Sequence, residues 1–260
     1  MRYLRLFLRK TSISLSSSMQ FRGNFILSVI SGILEVIVAM LFFKILYFNG
    51  LYIEGWSYYE VLFLIGTSKL INTLYTMTLG GLQDIARQVE RGTFDFYLVK
   101  PVSPLLNISM RGANLNDFFQ LAISLFILFL AMANIQITYH LYSVLLYILL
   151  VIIGVYLRWI ITFIISVSSF WIIRVYAFQA LFYDFLQIQR LPLKIFKGTI
   201  RFFFLRIFPI LLIANLPVRA FLNYNVIIYL PSLVSGVLVS GTMSIYLWRK
   251  AIRKYTSTGS

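Results

Sequence analysis

The sequence has no cysteine, one histidine and only eight carboxylates. Without cysteine, disulfides and thiolate metal sites are excluded, and the redox compartment leaves no mark on the composition. The one histidine, His140, is expected in an external loop, so a His-based metal site or a Ser-His-Asp triad lacks its parts. The carboxylates are scattered rather than paired, so general acid–base chemistry lacks its second group. No complete GxxxxGK[ST] phosphate loop occurs. Gly66-Thr67-Ser68-Lys69 and Lys197-Gly198-Thr199 are fragments within or beside apolar segments, so the chain does not hydrolyse ATP alone by a P-loop mechanism. Charge itself is scarce, at 12% of residues, where a soluble domain carries about 25%.

What the chain has instead is apolar surface. Hydrophobic residues make up 60% of its 260 positions and aromatic residues 17%. A soluble domain is about 45–50% apolar, and one modest core does not bury such an excess. An ordinary soluble enzyme and a disordered chain are excluded. A soluble nucleic-acid binder does not fit either, despite 23 Lys and Arg and a net charge of +15. The fold class is all-α: a polytopic membrane protein with its cations in loops and termini.

A spanning helix needs roughly 20 mostly apolar residues. Six candidates are expected: Phe25 to Phe48, Tyr58 to Leu79, Phe118 to Asn134, one helix within the long run Leu141 to Ile173, Phe203 to Phe221, and Val226 to Leu247. The fifth carries Pro209 and Pro217 and is expected to be bent or broken. Lys and Arg alternate between the connections. The N-terminus holds Arg2, Arg5, Arg9, Lys10 and Arg22, and the second loop Arg87, Arg91, Lys100 and Arg111. The fourth holds Arg174, Arg190, Lys194, Lys197 and Arg201, and the C-terminus Arg249, Lys250, Arg253 and Lys254. Asn49 to Ser57 and Gln136 to His140 have none, and Arg219 stands at the edge of the last connection. Both termini are expected to be cytoplasmic.

The first apolar run is too long and starts too late for a cleaved signal peptide. Residues 1–22 precede it as an amphipathic interfacial helix, with Arg2, Arg5 and Arg9 on one face and Leu4, Leu8, Thr11 and Leu15 opposite. No repeat or linker divides residues 23–260. Trp56, Tyr58, Tyr59 and Trp248 flank spans, where interfacial rings are favoured. Gly154, Gly236, Ser240 and Gly241 permit close helix approach.

The second loop is the most specific stretch. Leu82, Ile85, Ala86 and Val89 recur at helical spacing and give a short helix with one apolar stripe. Asp84, Arg87, Gln88 and Arg91 face away from it. Gly92 is placed to end this helix in a left-handed cap, and Pro101 and Pro104 stop any continuation. From Arg91 the chain reads Gly92-Thr93-Phe94-Asp95-Phe96-Tyr97-Leu98-Val99-Lys100-Pro101-Val102. That run resembles the R-G-T-hydrophobic-D-x-x-L-x-[KR]-P-V stretch of ABC-2-type permeases, the compact six-span transmembrane subunits. Three further places agree with the family. Ile53-Glu54-Gly55-Trp56-Ser57 with Glu60-Val61-Leu62 is similar to its external signature before span two. Pro192-Leu193-Lys194-Ile195-Phe196 with Pro209 and Pro217 resembles the pattern around span five. Tyr255-Thr256-Ser257-Thr258-Gly259-Ser260 resembles its C-terminal ending. The matches follow one another along nearly the whole chain.

The resemblance implies a permease subunit in the cell membrane, without a catalytic site or bound cofactor, that exports an amphipathic or hydrophobic substrate. It implies separate ABC-type ATPase subunits, which carry the ATP and Mg, and a second permease chain as a homodimer or a heterodimer. A coupling segment at about residues 81–112 would meet the ATPase through Asp84, Arg87, Glu90, Arg91, Gly92, Asp95 and Lys100. The N-terminal helix would be a second contact.

Three ionisable residues fall inside spans: Glu35, Lys69 and Arg158. Each lies near the middle of its own span, where an isolated charge costs several kcal/mol, about 2.5–3.5 on insertion scales. The expectation is an ion-pair cluster joining Glu35 to Lys69 or Arg158, either structural or lining a translocation path. Asp117, Asp184 and Lys44 are expected at span ends. The alternative functions are an ATP-independent secondary transporter or channel, a membrane-embedded transferase using His140 or Asp184, and a non-transporting scaffold.

Overall fold

The computed structural model describes residues 2–20, 22–53, 55–138, 140–171 and 182–255. Glu54, the end of the long apolar run at 172–173, Arg174 and the last five residues of the C-terminal motif lie outside them. Among the described residues every regular element is helical: α1 (Arg2–Gln20), α2 (Arg22–Phe48), α3 (Tyr58–Leu79), α4 (Ile85–Glu90), α5 (Asp95–Leu98), α6 (Pro104–Ser109), α7 (Leu115–Asn134), α8 (Leu141–Val167), α9 (Gly198–Phe202), α10 (Ile210–Phe221) and α11 (Leu230–Lys254).

Local chemistry sets several of these starts. α3 opens with a capping box in which the Glu60 amide donates to Ser57 Oγ at 3.3 Å and the Ser57 amide to Glu60 Oε2 at 2.7 Å. α7 repeats the device with Asn114 and Asp117, both bonds at 2.9 Å. Each box satisfies orphan amides at the first turn. The apolar run from Leu141 forms one helix, extended by a 3-10 turn to Phe170.

Among the described residues four helices are long and apolar enough to cross a membrane: Gly23–Phe48, Leu115–Asn134, Leu141–Phe170 and Ile227–Lys254. A fifth crossing results if Gly198–Arg206 and Ile210–Phe221, which meet at 84°, are taken as one span. Among the described residues, four or five of the expected six spans are therefore present as membrane-length apolar helices. α3 is long enough at 22 residues, but it carries Thr67, Ser68, Lys69 and Thr73, all buried. It packs against α2, α7, α8 and α10. Protein rather than lipid surrounds it, so its sequence is freed from the apolar requirement.

Side-chain contacts fix which ends of the helices coincide. At one end Tyr47 donates to the Trp56 carbonyl at 2.8 Å and Tyr224 to Glu60 at 2.9 Å. Asn223 accepts from Ser143 and donates to the Thr138 carbonyl there, the latter at 3.4 Å. The other end holds α1, residues 80–110, Phe170 and Tyr255.

The stretch 182–196 runs between those ends. Tyr183 accepts from Gln83 at 2.9 Å near the α1 end. Arg190 meets Glu35 in the middle of α2. Lys194 reaches Gly55, where a Cβ would lie 2.8 Å from its Nζ. By contrast, Gly198 to Phe221 starts and finishes at the Gly55 end. Arg201 bonds Tyr229 at 3.3 Å, Pro209 lies against Gly236 inside the bundle, and Phe221 stacks on Phe63 at 4.7 Å. The expected fifth span, Phe203 to Phe221, is broken at Phe208–Pro209, as its prolines suggested, but it dips in and returns. The twelve residues of α10 rise about 18 Å at 1.5 Å each, short of a bilayer core of about 30 Å. Arg190, Lys194 and Arg201 consequently leave the loop in which the sequence pattern put them.

Asn215 anchors this crossing. It is fully buried, accepts from the Leu193 amide at 2.9 Å and donates to the Leu191 carbonyl at 3.0 Å. Helices approach closely at Gly154, where a Cβ would lie 2.8 Å from the Ile213 carbonyl oxygen. Such contacts, rather than apolar burial, hold helices together in lipid.

Candidate functional site

The segment after α3 is built as expected and then fixed in place. A 3-10 turn, Gly80–Asp84, leads into α4. Leu82 and Ile85 are fully buried and Ala86 nearly so, while Arg87, Glu90 and Arg91 are exposed. Gly92 has φ +67°. Its amide bonds the Val89 carbonyl at 3.1 Å and the Thr93 amide bonds the Gln88 carbonyl at 2.9 Å. This is the Schellman pairing, which closes a helix where a side chain at positive φ would be strained. Thr93 Oγ1 also bonds the Gln88 side chain.

The residue after the cap is the anchor. Phe94 is fully buried, with ring centroids 5.1 Å from Tyr255, 5.3 Å from Phe170 and 6.3 Å from Trp248. Phe163, Val167, Phe170 and Ala251 complete the same cluster. The loop is thus bolted to the ends of α8 and α11. Among the other expected residues, Asp84 and Arg87 pair at 3.6 Å with both side chains half exposed, a contact worth at most about 1 kcal/mol. Lys100 lies over the Tyr97 ring at 5.7 Å. Burial and then the nearby Asp84 carboxylate push the Tyr97 hydroxyl up. Burial, followed by Asp95, does the same to Tyr255.

α1 docks on the following turn. Lys10 donates to the Met110 carbonyl at 2.7 Å and to the Asn107 carbonyl, and the Ala113 amide donates to Thr11 at 3.2 Å. Gly112 has φ +87°, and a Cβ there would lie 2.7 Å from the Lys10 and Thr11 backbone. Leu4 and Leu8 remain exposed. Burial, with Lys100 adding repulsion, pulls the Lys10 ammonium down from 10.5 to about 8.

Glu35 and Lys69 meet at 3.1 Å. Arg158 does not join them. It is buried on α8 with its guanidinium 5.7 Å from the Tyr75 ring and 5.2 Å from that of Tyr183. Aromatic faces take the place of a carboxylate there. The second partner of Glu35 is Arg190, at 2.5 Å. The sequence reading missed it because the crossing at 182–196 contains no long apolar run.

The cluster lines a polar cavity of about 680 Å³ between α2, α3, α7 and residues 183–190. A second cavity, of about 700 Å³, lies beside α1 and includes Lys10, Asp84 and Tyr97. The two share Asn24, Ser28, Arg111 and Asn116, so they form one groove from the α1 end to the Glu35 cluster. The signal for it was in the sequence. Asn24, Ser28, Ser31, Gly32 and Glu35 make one helical stripe on α2, and Lys69, Asn72, Thr73 and Thr76 another on α3. His140 caps no site: its Nε2 lies 3.4 Å from Thr138 Oγ1 in an exposed connection. Asp184 is exposed.

No curated protein and no solved structure matches the chain significantly. The family described as ABC-2 family transporter protein matches residues 33–259, a stretch that takes in the later part of the first span, every later span, the Phe94-anchored loop and the Glu35 cluster. With that match, the chain belongs to the ABC-2 family of transporter proteins, as a membrane permease subunit without an ATPase of its own.

Proposed function

We propose that this permease works as a dimer, homomeric or heteromeric, with two separate ABC-type ATPase subunits that dock on α4, Gly92 and α5, and that it exports an amphipathic or hydrophobic substrate through the polar groove. In this reading both termini face the cytoplasm of the cell in whose membrane it sits, and ATP and Mg are bound by the partner alone. The observation that carries it is the Phe94 anchor. Arg87, Glu90 and Arg91 stand exposed on a helix whose next residues are locked to the ends of α8 and α11. Force applied to that ridge reaches two long helices without passing through a flexible loop. Exposed charges of both signs on the ridge set register and partner choice more than affinity. Glu35, Lys69 and Arg190 lie where the groove ends, and Arg158 supports its wall through Tyr183.

Purification from native membranes under mild conditions tests the partner. A Walker-motif ATPase is expected with the chain, and Arg91→Glu is expected to lose it while membrane insertion is kept. Recovery of no ATPase, together with ATP-independent transport in vesicles, would overturn the reading in favour of a secondary transporter or channel.

A further inference from the structure

The Glu35 end of the groove carries more positive than negative charge, at a depth where charge is costly. Its lining has Lys69, Arg111 and Arg190 against Glu35 and Asp117. Arg158 stands behind Tyr183, a lining residue, as a further cation with no carboxylate at salt-bridge distance among the described residues. One carboxylate, Glu35, serves both Lys69 and Arg190. The Arg190 fork is half used: its Nη2 holds Glu35 while its buried Nε has no hydrogen-bond partner among the described residues. A guanidinium binds an oxyanion best through two parallel bonds. The Glu35 side chain is 42% exposed and that of Arg190 22%, so these two are reached from the groove, while Lys69, at 8%, lies behind Glu35. Beside them α2 presents Ile30, Leu34, Ile37 and Val38 outward, an apolar surface next to a cationic pocket.

We propose that the groove binds the singly charged anionic headgroup of an amphiphile on Lys69 and Arg190, displacing Glu35, with the alkyl chain lying along α2. The proposal rests on the groove being the substrate path and names the substrate class. Glu35 acts as the resident counter-anion. It keeps Lys69 and Arg190 compensated while the groove is empty and gives way to an oxyanion that can use the whole Arg190 fork. Lys10, in the α1-side cavity, and then Arg111, at the junction of the two cavities, are the cations such a headgroup meets on its way in from the α1 end. One negative charge on the ligand matches the surplus of one in the lining.

The test uses the full chain in phosphatidylcholine nanodiscs, photolabelled with a diazirine-bearing decyl sulfate. Saturable labelling is expected on the peptides carrying residues 24–35 and 187–190. Decyl sulfate should compete, and decyltrimethylammonium and inorganic sulfate should not. Equal competition by the cationic amphiphile overturns the charge assignment, and competition by inorganic sulfate assigns the site to a free anion instead. Glu35→Gln removes the internal competitor and is expected to tighten decyl sulfate binding about tenfold, whereas Arg190→Gln weakens it about tenfold, the scale of one charge-assisted bond. Arg190→Lys keeps the charge but not the fork and should fall between. If Arg190→Gln fails to insert, Lys69→Gln gives the same reading. Unchanged or weaker binding in Glu35→Gln overturns the displacement. ATP-driven uptake of decyl sulfate into vesicles with the partner ATPase separates the two levels. Binding without uptake leaves the ligand class standing and removes the path, whereas uptake without labelling at these peptides removes the site.

Discussion

Phe94→Ala isolates the anchor from the ridge it supports. Phe94 is fully buried and packs among Tyr97, Phe170, Trp248 and Tyr255. Phe94 itself lies in a loop outside the spans, packed on the last turns of α8 and α11 beside α1, so the ordinary hydrophobic driving force applies to its burial. Truncating a buried Phe to Ala costs about 3–5 kcal/mol, from lost transfer energy and the cavity left behind. α4 has six residues and α5 four, far below the roughly 12–15 that an isolated helix needs. The loss therefore falls on local opening of residues 85–98 and leaves the bundle intact. At about 1.4 kcal/mol per factor of ten, amide exchange over this segment should rise on the order of 10²–10³-fold. Exchange in α3 and α8 should stay unchanged. With the partner ATPase present, ATP hydrolysis should persist while transport falls, because the exposed ridge survives and its connection to α8 and α11 does not. Phe96→Ala is the control, since Phe96 is 67% exposed and surface substitutions shift stability by about 0.5 kcal/mol or less. Unchanged exchange over 85–98 in Phe94→Ala would refute the anchor.

Three further outcomes follow from single contacts. Gly112→Ala places a Cβ against the α1 backbone at positive φ, a strain of about 1–3 kcal/mol, and should release α1. A spin-label pair on α1 and α6 would report it, and the absence of native cysteine leaves no background. Lys10 titrates at about 8 when docked and near 10.4 when free. The undocked state therefore binds more protons between those values, and docking should strengthen as pH rises from 8 towards 10; the same label pair separating over that range would contradict the burial of Lys10. Asn215→Ala leaves the Leu193 amide and the Leu191 carbonyl without their partner, at about 1–3 kcal/mol per buried group. Faster exchange at residues 187–193, with α3 unaffected, is the expected result.

Where lipid or a tight turn decides the conformation, the sequence is explicit. The run from Leu141, the stripe Leu82-Ile85-Ala86-Val89 and the cap at Gly92 all have the form expected, because each obeys a local rule. The crossing at 182–196 obeys none of them. Gln187, Gln189 and Arg190 fall in a 3-10 turn packed against α10, and their neighbours are protein groups such as Asn215 rather than lipid. Hydropathy measures fitness for lipid, so it passes over a stretch of chain whose polar residues are turned towards protein. The positive-residue count fails at the same place for the same reason. It attributes Arg190, Lys194 and Arg201 to a loop, although one binds Glu35 and another reaches Gly55 at the far end. The cations that remain at the α1 end still outnumber them, so the correction moves residues without reversing the pattern.

Polarity inside a span is therefore information of two kinds, separated by spacing. On α3, Thr67 and Ser68 face protein, and Thr67 bonds Tyr147 at 3.1 Å between helices. Lys69, Asn72, Thr73 and Thr76 instead repeat every three or four residues and line the groove. α2 shows the distinction more sharply, being apolar enough to span alone and yet carrying Asn24, Ser28, Ser31, Gly32 and Glu35 on one face. A helix that only needed to sit in lipid gains nothing from that stripe. Gly32 clears room for the Gln120 amide of α7, whose nitrogen a Cβ there would strike. Glu35 holds two cations brought by two other parts of the chain. The stripe makes α2 a wall of a polar groove on one side and a lipid-facing helix on the other, and an amphiphile needs both surfaces at once.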